Sequence, residues 1–275
     1  MVDEDALAEA YEAALALEKS GDPDAPAAWR KVLALNPSDP GGAAVRLAAL
    51  GAAAAPDKAS PAYVATLFDQ HAEVFDGILV DQLEYGVPML VRERAQALGL
   101  APLGRLLDLG CGTGLAAEAL EDMAGEMTGV DLAEGMIEIA DEKELYHRLF
   151  VGDAAGFLEQ ATETWDVIAA TDVLPYLGDA KPLFESAALR IADGGVFVFS
   201  TETLAPERFA AGSGAGWLVT PHHRFAHDPG YIEATLDAAG FAVLERTDVV
   251  VRKEMGEPIP GHLFFARFGG AGRSV

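Results

Sequence analysis

The sequence predicts a doubly wound α/β domain behind an all-α extension, and three observations predict it. From Arg105 onward, short apolar runs alternate with helix-length stretches, the pattern of parallel strands joined by right-handed crossovers. The last two apolar runs are joined by Met255-Gly256-Glu257-Pro258-Ile259-Pro260-Gly261. That connection has no room for a crossover helix, so the pair is expected as an antiparallel hairpin at the sheet edge. Ahead of all this, residues 3–50 carry helical periodicity only.

The elements follow in order. Residues 3–19 read as one amphipathic helix with Leu7, Tyr11, Ala14 and Leu15 at helical spacing, and Gly21-Asp22-Pro23 breaks it. A second helix is expected at 26–35 with Trp29, Val32 and Leu33 inward. Asn36-Pro37-Ser38-Asp39-Pro40 ends it, and a third helix covers 42–50. The string AWRKVLALNPSDPGGAAVRLAALG resembles the helix–turn–helix junction of tetratricopeptide repeats over about one and a half repeats, fewer than the three an independent array needs. So short an array offers little concave surface, which favours a packing appendage or a homodimer contact over a peptide groove. GAAAAPDKAS, residues 51–60, reads as a linker. Two helices follow at 61–74 and 81–98, with Pro61 suited to a first turn and Gly99 to a C-terminal cap. Strands are expected at 105–109, 126–131, 148–152, 165–171, 195–202, 241–253 and 262–268, with helices near 114–123, 134–141, 155–160 and 180–192. The division is therefore a helical extension at 1–55, a helical lid at 61–99 and a ligand-binding domain at 100–270.

Composition excludes several classes. The 275 residues are 51% hydrophobic, enough for a full core, and carry a formal net charge of -25 from 44 acidic and 19 basic side chains. A surface that negative repels phosphate backbones and anionic lipid surfaces, so neither nucleic acid nor membrane is expected as a partner. The single cysteine, Cys111, forbids an intramolecular disulfide and fits a reducing compartment. Met1-Val2-Asp3-Glu4-Asp5 lacks the basic start and apolar run of a signal peptide, and no run approaches 18 apolar residues, so a cytoplasmic protein is expected. No HExxH, GxSxG or P-loop pattern occurs, and a lone cysteine supports neither metal binding nor nucleophilic catalysis.

The strongest local signal is LLDLGCGTG, residues 106–114. An apolar strand runs into glycines at 110, 112 and 114, and a helix opens near Leu115. Such a loop lets the backbone approach a ligand and aims helix-start amides at it. A dinucleotide fingerprint reads G-x-G-x-x-G, whereas here the third glycine comes one residue early. Asp108, directly before the loop, would repel a pyrophosphate and suit the ammonium of an amino-acid moiety. Asp131 ends the second strand 23 residues after Asp108, placed to accept hydrogen bonds from ribose hydroxyls, with Leu132 beside it and Met136 able to pack on an adenine ring. Asp153 ends the third strand 22 residues later, where its carboxylate and the Ala154 amide can meet the edge of that ring. In isolation each aspartate would serve equally as a helix N-cap.

DLGCGTG resembles the first motif of class I S-adenosylmethionine-dependent methyltransferases, and AATDVLPYLGD, residues 169–179, resembles their fourth, with Thr171, Asp172 and Val173 lining the pocket. The resemblance covers about residues 105–268 and implies a Rossmann-like seven-stranded sheet, S-adenosylmethionine as cofactor with S-adenosylhomocysteine as product, and no metal. It implies cofactor contacts from Asp108, Gly110, Cys111, Gly112, Gly114, Asp131, Leu132, Met136, Asp153 and Ala154 as well. The segment YVATLFDQHAEVFDGILVDQLEYGVP repeats Phe-Asp at 68–69 and 75–76 and resembles the helical lid of small-molecule methyltransferases. There the position of Phe75 lies over the donor, and Tyr63 can bond its carboxylate.

A second covering segment is the connection 203–229, glycine-rich at 212, 214 and 216 and expected as a long mobile loop. The whole chain resembles bacterial predicted methyltransferases with tetratricopeptide-like N-termini, in which an Arg-aromatic-Ala-His string precedes the next helix. Here that string is Arg224-Phe225-Ala226-His227. It makes His227 a candidate general base and Arg224 a candidate contact to an acceptor carboxylate. Against this, His227-Asp228-Pro229 also reads as an ordinary helix start. The expected acceptor is a small neutral or carboxylate-bearing molecule. Two rivals stay open: a protein substrate docked by the N-terminal helices, and a non-catalytic cofactor binder.

Overall fold

A computed structural model describes residues 3–77, 79, 83–210, 212 and 214–270. Three helices open the chain: α1 (Glu4–Ser20), α2 (Ala25–Leu35) and α3 (Ala43–Ala49). Asp3 caps α1 by accepting from the Ala6 amide, and Gly21 closes it in the left-handed region at φ 68°. The three share a seam of Ala10, Ala14, Trp29, Val32, Ala43 and Leu47, with the Tyr11 ring edge-on to Trp29 at 5.4 Å. Helix α4 (Pro61–Asp69) starts under a Ser60 cap and is followed by a 3-10 turn at Ala72–Val74. The helix expected at 81–98 is seen as α5 (Val87–Ala97), and residues 81 and 82 of that expectation lie outside the described residues.

The sheet is built from β1 (Arg105–Leu109), β2 (Glu126–Asp131), β3 (Arg148–Val151), β4 (Trp165–Ala170) and β5 (Ile191–Glu202), all parallel, in the order 3-2-1-4-5. Their crossovers are α6 (Leu115–Leu120), α7 (Glu134–Glu142), α8 (Ala154–Gln160) and α9 (Lys181–Arg190). Strand β5 begins four residues before the expected Gly195. Its register against β4 shifts between the Trp165–Ile191 and Val167–Val196 pairs, a bulge carried by Gly194 at φ 75° and by Gly195. An added Cβ at Gly195 would stand 2.8 Å from the Asp166 carbonyl oxygen, so only glycine fits there.

Segment 203–229, expected as a long mobile loop, contains regular secondary structure among its described residues. It holds α10 (Pro206–Ala210) and a hairpin of β6 (Trp217–Val219) and β7 (Phe225–His227). Among the described residues the sheet therefore has nine strands, this hairpin adding two to the expected seven. Ala226 of β7 pairs with Glu202 of β5, which pairs on its other edge with Gly261. Strand β4 leaves off against β5 at Ala170–Phe199. The hairpin thus extends the β4 side of β5 past the end of β4, over the carboxyl ends of the parallel strands.

The chain closes with α11 (Pro229–Ala238), β8 (Phe241–Glu254) and β9 (Glu257–Phe268). The last two form the expected antiparallel hairpin, and β9 pairs antiparallel with β5. Its turn is shorter than the sequence suggests: Met255 and Gly256 both have positive φ, which brings Glu254 opposite Glu257. One face of the sheet packs Phe184, Phe197, Phe199, Phe241 and Phe264 under α9 and α11; the other packs Leu106, Val198, Leu263 and Phe265 under α5 and α6. No described helix is long and apolar enough to cross a membrane. Phe264 is fully buried and stacks on Phe199 at 5.1 Å. Phe264→Ala should cost about 3–5 kcal/mol, read as a lowered urea midpoint.

Candidate active site

Because β1–β4 are parallel, their carboxyl ends lie side by side, and four aspartates stand there: Asp153 after β3, Asp131 at the end of β2, Asp108 near the end of β1 and Asp172 after β4. This is the edge at which open α/β sheets bind ligands. A cavity of about 310 Å³ opens on it, within the range of small-molecule sites.

The glycine loop forms the cavity floor. Gly110, Gly112 and Gly114 have φ of 64°, 53° and 94°, a backbone open to glycine at little cost. A Cβ on Gly110 would lie 2.5 Å from Val173 Cγ2, so glycine there also lets the loop meet the end of β4. Asp131 ties the loop to β2: Oδ2 accepts from the Gly112 amide at 2.9 Å and Oδ1 from the Ala133 amide at 2.9 Å. Burial raises its pKa, and the two amides oppose that rise. Asp153 caps α8, accepting from the Gly156 amide at 3.0 Å, and faces Lys58 at 3.6 Å.

Asp108 is fully buried beneath the loop. Its Oδ2 accepts from the Tyr146 hydroxyl at 2.6 Å, and its Oδ1 has no partner among the described residues. Burial pushes its pKa up to about 7; the Tyr146 bond opposes this and the nearby Asp131 charge adds to it. Tyr146 carried no sequence signal. It sits before β3 and reaches the loop only through the fold.

The lid follows the Phe-Asp repeat. Phe68 and Phe75 line the cavity and meet edge-on at 5.6 Å. Asp69 accepts from the Gly135 amide at 3.0 Å, while Asp76 accepts from the Thr113 hydroxyl and from Lys143 Nζ at 2.8 Å. The two phenyl rings thus form the ceiling, and the two carboxylates fasten it to the glycine loop and to α7. Leu79 and Tyr85 complete this side, with burial raising the Tyr85 pKa.

The far wall is a buried ion cluster. Asp172 has φ 60°, rare for a residue with a side chain, and its amide donates to Ser200 Oγ at 2.9 Å. Arg224, in the β6–β7 turn just ahead of Phe225, donates to Asp172 Oδ2 at 3.1 Å and to the Tyr176 hydroxyl, and stands 3.4 Å from Glu202. Arg252 closes the cluster against Glu202 and Glu254. Burial opposes the Arg224 charge, but Asp172, Tyr176 and Glu202 outweigh it, so its pKa is raised.

Of the residues singled out from sequence, Gly110, Cys111, Gly112, Asp131, Leu132, Asp153, Ala154, Thr171, Asp172, Val173 and Phe75 line the cavity together. Asp108, Gly114 and Met136 stand behind it; Met136 is fully buried against Phe68 and Phe75, supporting the ceiling rather than facing a ligand. Tyr63 packs on Gly42 of the N-terminal helices, so its ring is part of a core contact. His227, the candidate general base, is fully buried in β7, its Nε2 3.1 Å from the Gly178 carbonyl oxygen. Burial drives its pKa down to about 4, and with no face on the cavity it is a packing residue. Arg224 is not free for an acceptor carboxylate; Asp172 and Glu202 already hold it. Sequence reasoning missed Lys58, Ala59 and Tyr176, all cavity-lining. The supposed linker supplies the first two, because the Ala59 amide donates to the Tyr176 carbonyl at 2.9 Å and draws that strap over the site. Among the described residues no group of acidic, histidine and cysteine side chains could hold a metal ion.

These features define a doubly wound α/β domain with a small-molecule-sized cavity at the carboxyl ends of its parallel strands, rimmed by carboxylates and a glycine loop. A family model described as a methyltransferase domain matches residues 82–246, and the chain belongs to that family, which makes it a methyltransferase. It is 33% identical over 173 residues to a ubiquinone biosynthesis O-methyltransferase of Azorhizobium caulinodans, covering 58% of this chain and 68% of the relative. It is 31% identical over 150 residues to a protein of the same name from Maricaulis maris, covering 50% and 59%. The match thus spans about three-fifths to two-thirds of these relatives' length. A crystal structure of an S-adenosylmethionine-dependent methyltransferase from Clostridium acetobutylicum shares the fold at a TM-score of 0.54 and 18% identity, over 74% of this chain and all of that one.

Asp108 gives a signed test. Its native pKa, about 7, stands above the ordinary value of about 3.9, so the folded state binds the extra proton and Asp108 costs stability as pH rises from about 4 to about 7. Urea unfolding of Asp108→Asn against the parent should show the variant gaining relative stability across that window. A constant difference would refute the assignment.

Proposed function

We propose that the chain binds S-adenosylmethionine in this cavity and transfers its methyl group to a small, uncharged acceptor, with a hydroxyl oxygen as the acceptor atom. The observation that carries the reading is the row of strand-end carboxylates around an open glycine loop. Among the described residues the charged ones lining the cavity are Lys58, Asp57, Asp131, Asp153, Asp172 and Asp179, five acidic to one basic. That balance suits a cationic nucleoside and opposes a pyrophosphate.

The residues fit such a cofactor. Each Asp131 oxygen accepts one backbone amide and keeps a second lone pair for a ribose hydroxyl. A Cβ on Gly112 would meet nothing nearer than Phe75 Cε1 at 3.8 Å, so the loop offers a cradle that a ligand can enter. The orphaned Oδ1 of Asp108 supplies a buried negative site beneath the loop, suited to an ammonium through an intervening group. When bound, the cofactor supplies an already activated methyl group, so the protein's task is alignment and exclusion of water. Phe68, Phe75 and Leu79 exclude water from above. Asp172 Oδ1, which makes no hydrogen bond among the described residues, can take the proton of an acceptor hydroxyl, since Arg224 occupies Oδ2. The O-methyltransferase names of the relatives support oxygen as the acceptor atom.

Three further points belong to this proposal. The paired N-terminal helices are tetratricopeptide-like, supported by the α1–α2–α3 seam around Trp29. A homodimer through their outer face and a cytoplasmic location fit the same reading, the latter supported by the single, buried cysteine.

Two outcomes are expected. Asp131→Asn puts an amide N–H against the Gly112 or Ala133 amide and should weaken cofactor affinity by about 10-fold or more in calorimetry. With radiolabelled S-adenosylmethionine, catechol should accept the methyl group at least ~10-fold faster than 3,4-dihydroxybenzoate, since like charge at the cavity costs on the order of 1 kcal/mol or more. A preference for the carboxylate-bearing acceptor would overturn the electrostatic reading.

A further inference from the structure

The N-terminal helices touch the chemistry. Glu18, in the last turn of α1, is largely buried, and its Oε1 meets Arg46 of α3 at 2.9 Å and His223 Nε2 at 3.1 Å. The same Arg46 lies over the Trp29 ring at 4.8 Å, so the carboxylate is fixed by the core of the extension. His223 belongs to the β6–β7 turn. It sits at φ 61°, a left-handed conformation that needs outside support in a residue with a side chain. The turn is closed by the Thr220 amide donating to the Arg224 carbonyl at 2.7 Å and the His223 amide to the Thr220 carbonyl at 3.0 Å. The next side chain, Arg224, grips Asp172 and Tyr176 on the cavity wall.

The apolar contacts run the same way. Val45 of α3 and Phe225 of β7 are buried in one cluster with Ala59, Val64 and Tyr176, and Trp217 and Tyr63 pack against it. Ser60 Oγ donates to the Ser38 carbonyl at 2.5 Å, tying the cavity strap to the α2–α3 connection. A mere appendage would rest on the sheet's outer faces; this one rests on the hairpin that holds the cavity wall.

We propose that Glu18 and His223 are positioning residues: through the β6–β7 turn they fix Arg224, and through it the Asp172 carboxylate, making the N-terminal helices a structural wall of the active site. The functional part of this rests on the methyl-transfer reading above. It predicts that removing residues 1–55 would not spare small-molecule turnover, contrary to what a detachable extension allows.

The test uses the full chain with Glu18→Leu, Glu18→Gln and His223→Asn, asparagine being tolerant of the left-handed backbone. Amide hydrogen exchange is read over residues 170–178 and 220–226, with 105–131 as internal reference. S-adenosylhomocysteine affinity is measured by calorimetry and methyl transfer to catechol by radiolabel. Glu18→Leu and His223→Asn should speed exchange at 170–178 by about 10-fold, the loss of one buried charged hydrogen bond, while 105–131 stays as in the parent. They should lower kcat toward catechol and leave S-adenosylhomocysteine affinity within about 2-fold, because Asp131 and the glycine loop are untouched. Glu18→Gln, which keeps an acceptor oxygen, should recover most of both. Parent-like exchange at 170–178 in Glu18→Leu, or a rise of equal size over 105–131, would overturn the proposal. If the parent neither binds the nucleoside nor methylates catechol, the methyl-transfer reading fails, and the exchange data still decide whether the extension fixes Asp172.

Discussion

Charge buried at the carboxyl ends of parallel strands is the constraint on which this structure turns. The four aspartates stand at the ends of neighbouring strands, stepped along the sheet: Asp108 pairs with Gly129 and Ala169, two and three residues short of Asp131 and Asp172, and Asp131 pairs with Val151, two short of Asp153. Four carboxylates so close repel one another, and burial adds a desolvation cost. Each of three has a specific remedy: two backbone amides for Asp131, a helix-start amide and Lys58 for Asp153, and Arg224 for Asp172. Asp108 has only a tyrosine hydroxyl, and its pKa rises accordingly. The site is therefore anionic and incompletely neutralised, a state that a cationic ligand relieves and an anionic one worsens.

The covering elements answer the same constraint. The lid is fastened by Asp69 and Asp76 to a backbone amide, a threonine hydroxyl and Lys143 rather than by apolar contact alone. The β6–β7 hairpin exists where β4 has ended and β5 still offers an unpaired edge, and it brings Arg224 to Asp172, which accepts no backbone amide among the described residues. Arg252 on β8 and Glu202 on β5 complete that cluster, so the far wall depends on three separate stretches of the sheet. Breaking one member of such a cluster leaves an uncompensated buried charge, which costs about 3–5 kcal/mol.

Much of this was legible in the sequence. Periodicity marked the five parallel strands, and the short 255–261 connection marked the terminal hairpin. The glycine spacing and the near-equal intervals between Asp108, Asp131 and Asp153 located the cavity. What escaped was set by tertiary structure. Three-residue strands flanked by Gly212, Gly214 and Gly216 have no periodicity of their own, so β6 and β7 read as loop. Asp193-Gly194-Gly195 reads as a breaker, although a bulge carries the strand through it. His227 and Arg224 looked chemical because polar side chains in a glycine-rich segment resemble a catalytic loop. The hairpin instead buries one in the sheet and commits the other to Asp172. Tyr146 and Lys58 reach the site only through the fold, and Tyr176, although inside the 169–179 motif, is turned to the cavity wall by tertiary contacts that the motif does not show.

The central claim is that an anionic cradle selects a phosphate-free nucleoside that carries an ammonium. Titration calorimetry of the full chain with S-adenosylmethionine, S-adenosylhomocysteine and a nicotinamide dinucleotide compares the relevant charges in one cavity. The account predicts one-to-one binding of the first two and no measurable uptake of the dinucleotide. Tight dinucleotide binding, with neither S-adenosyl compound bound, would contradict it.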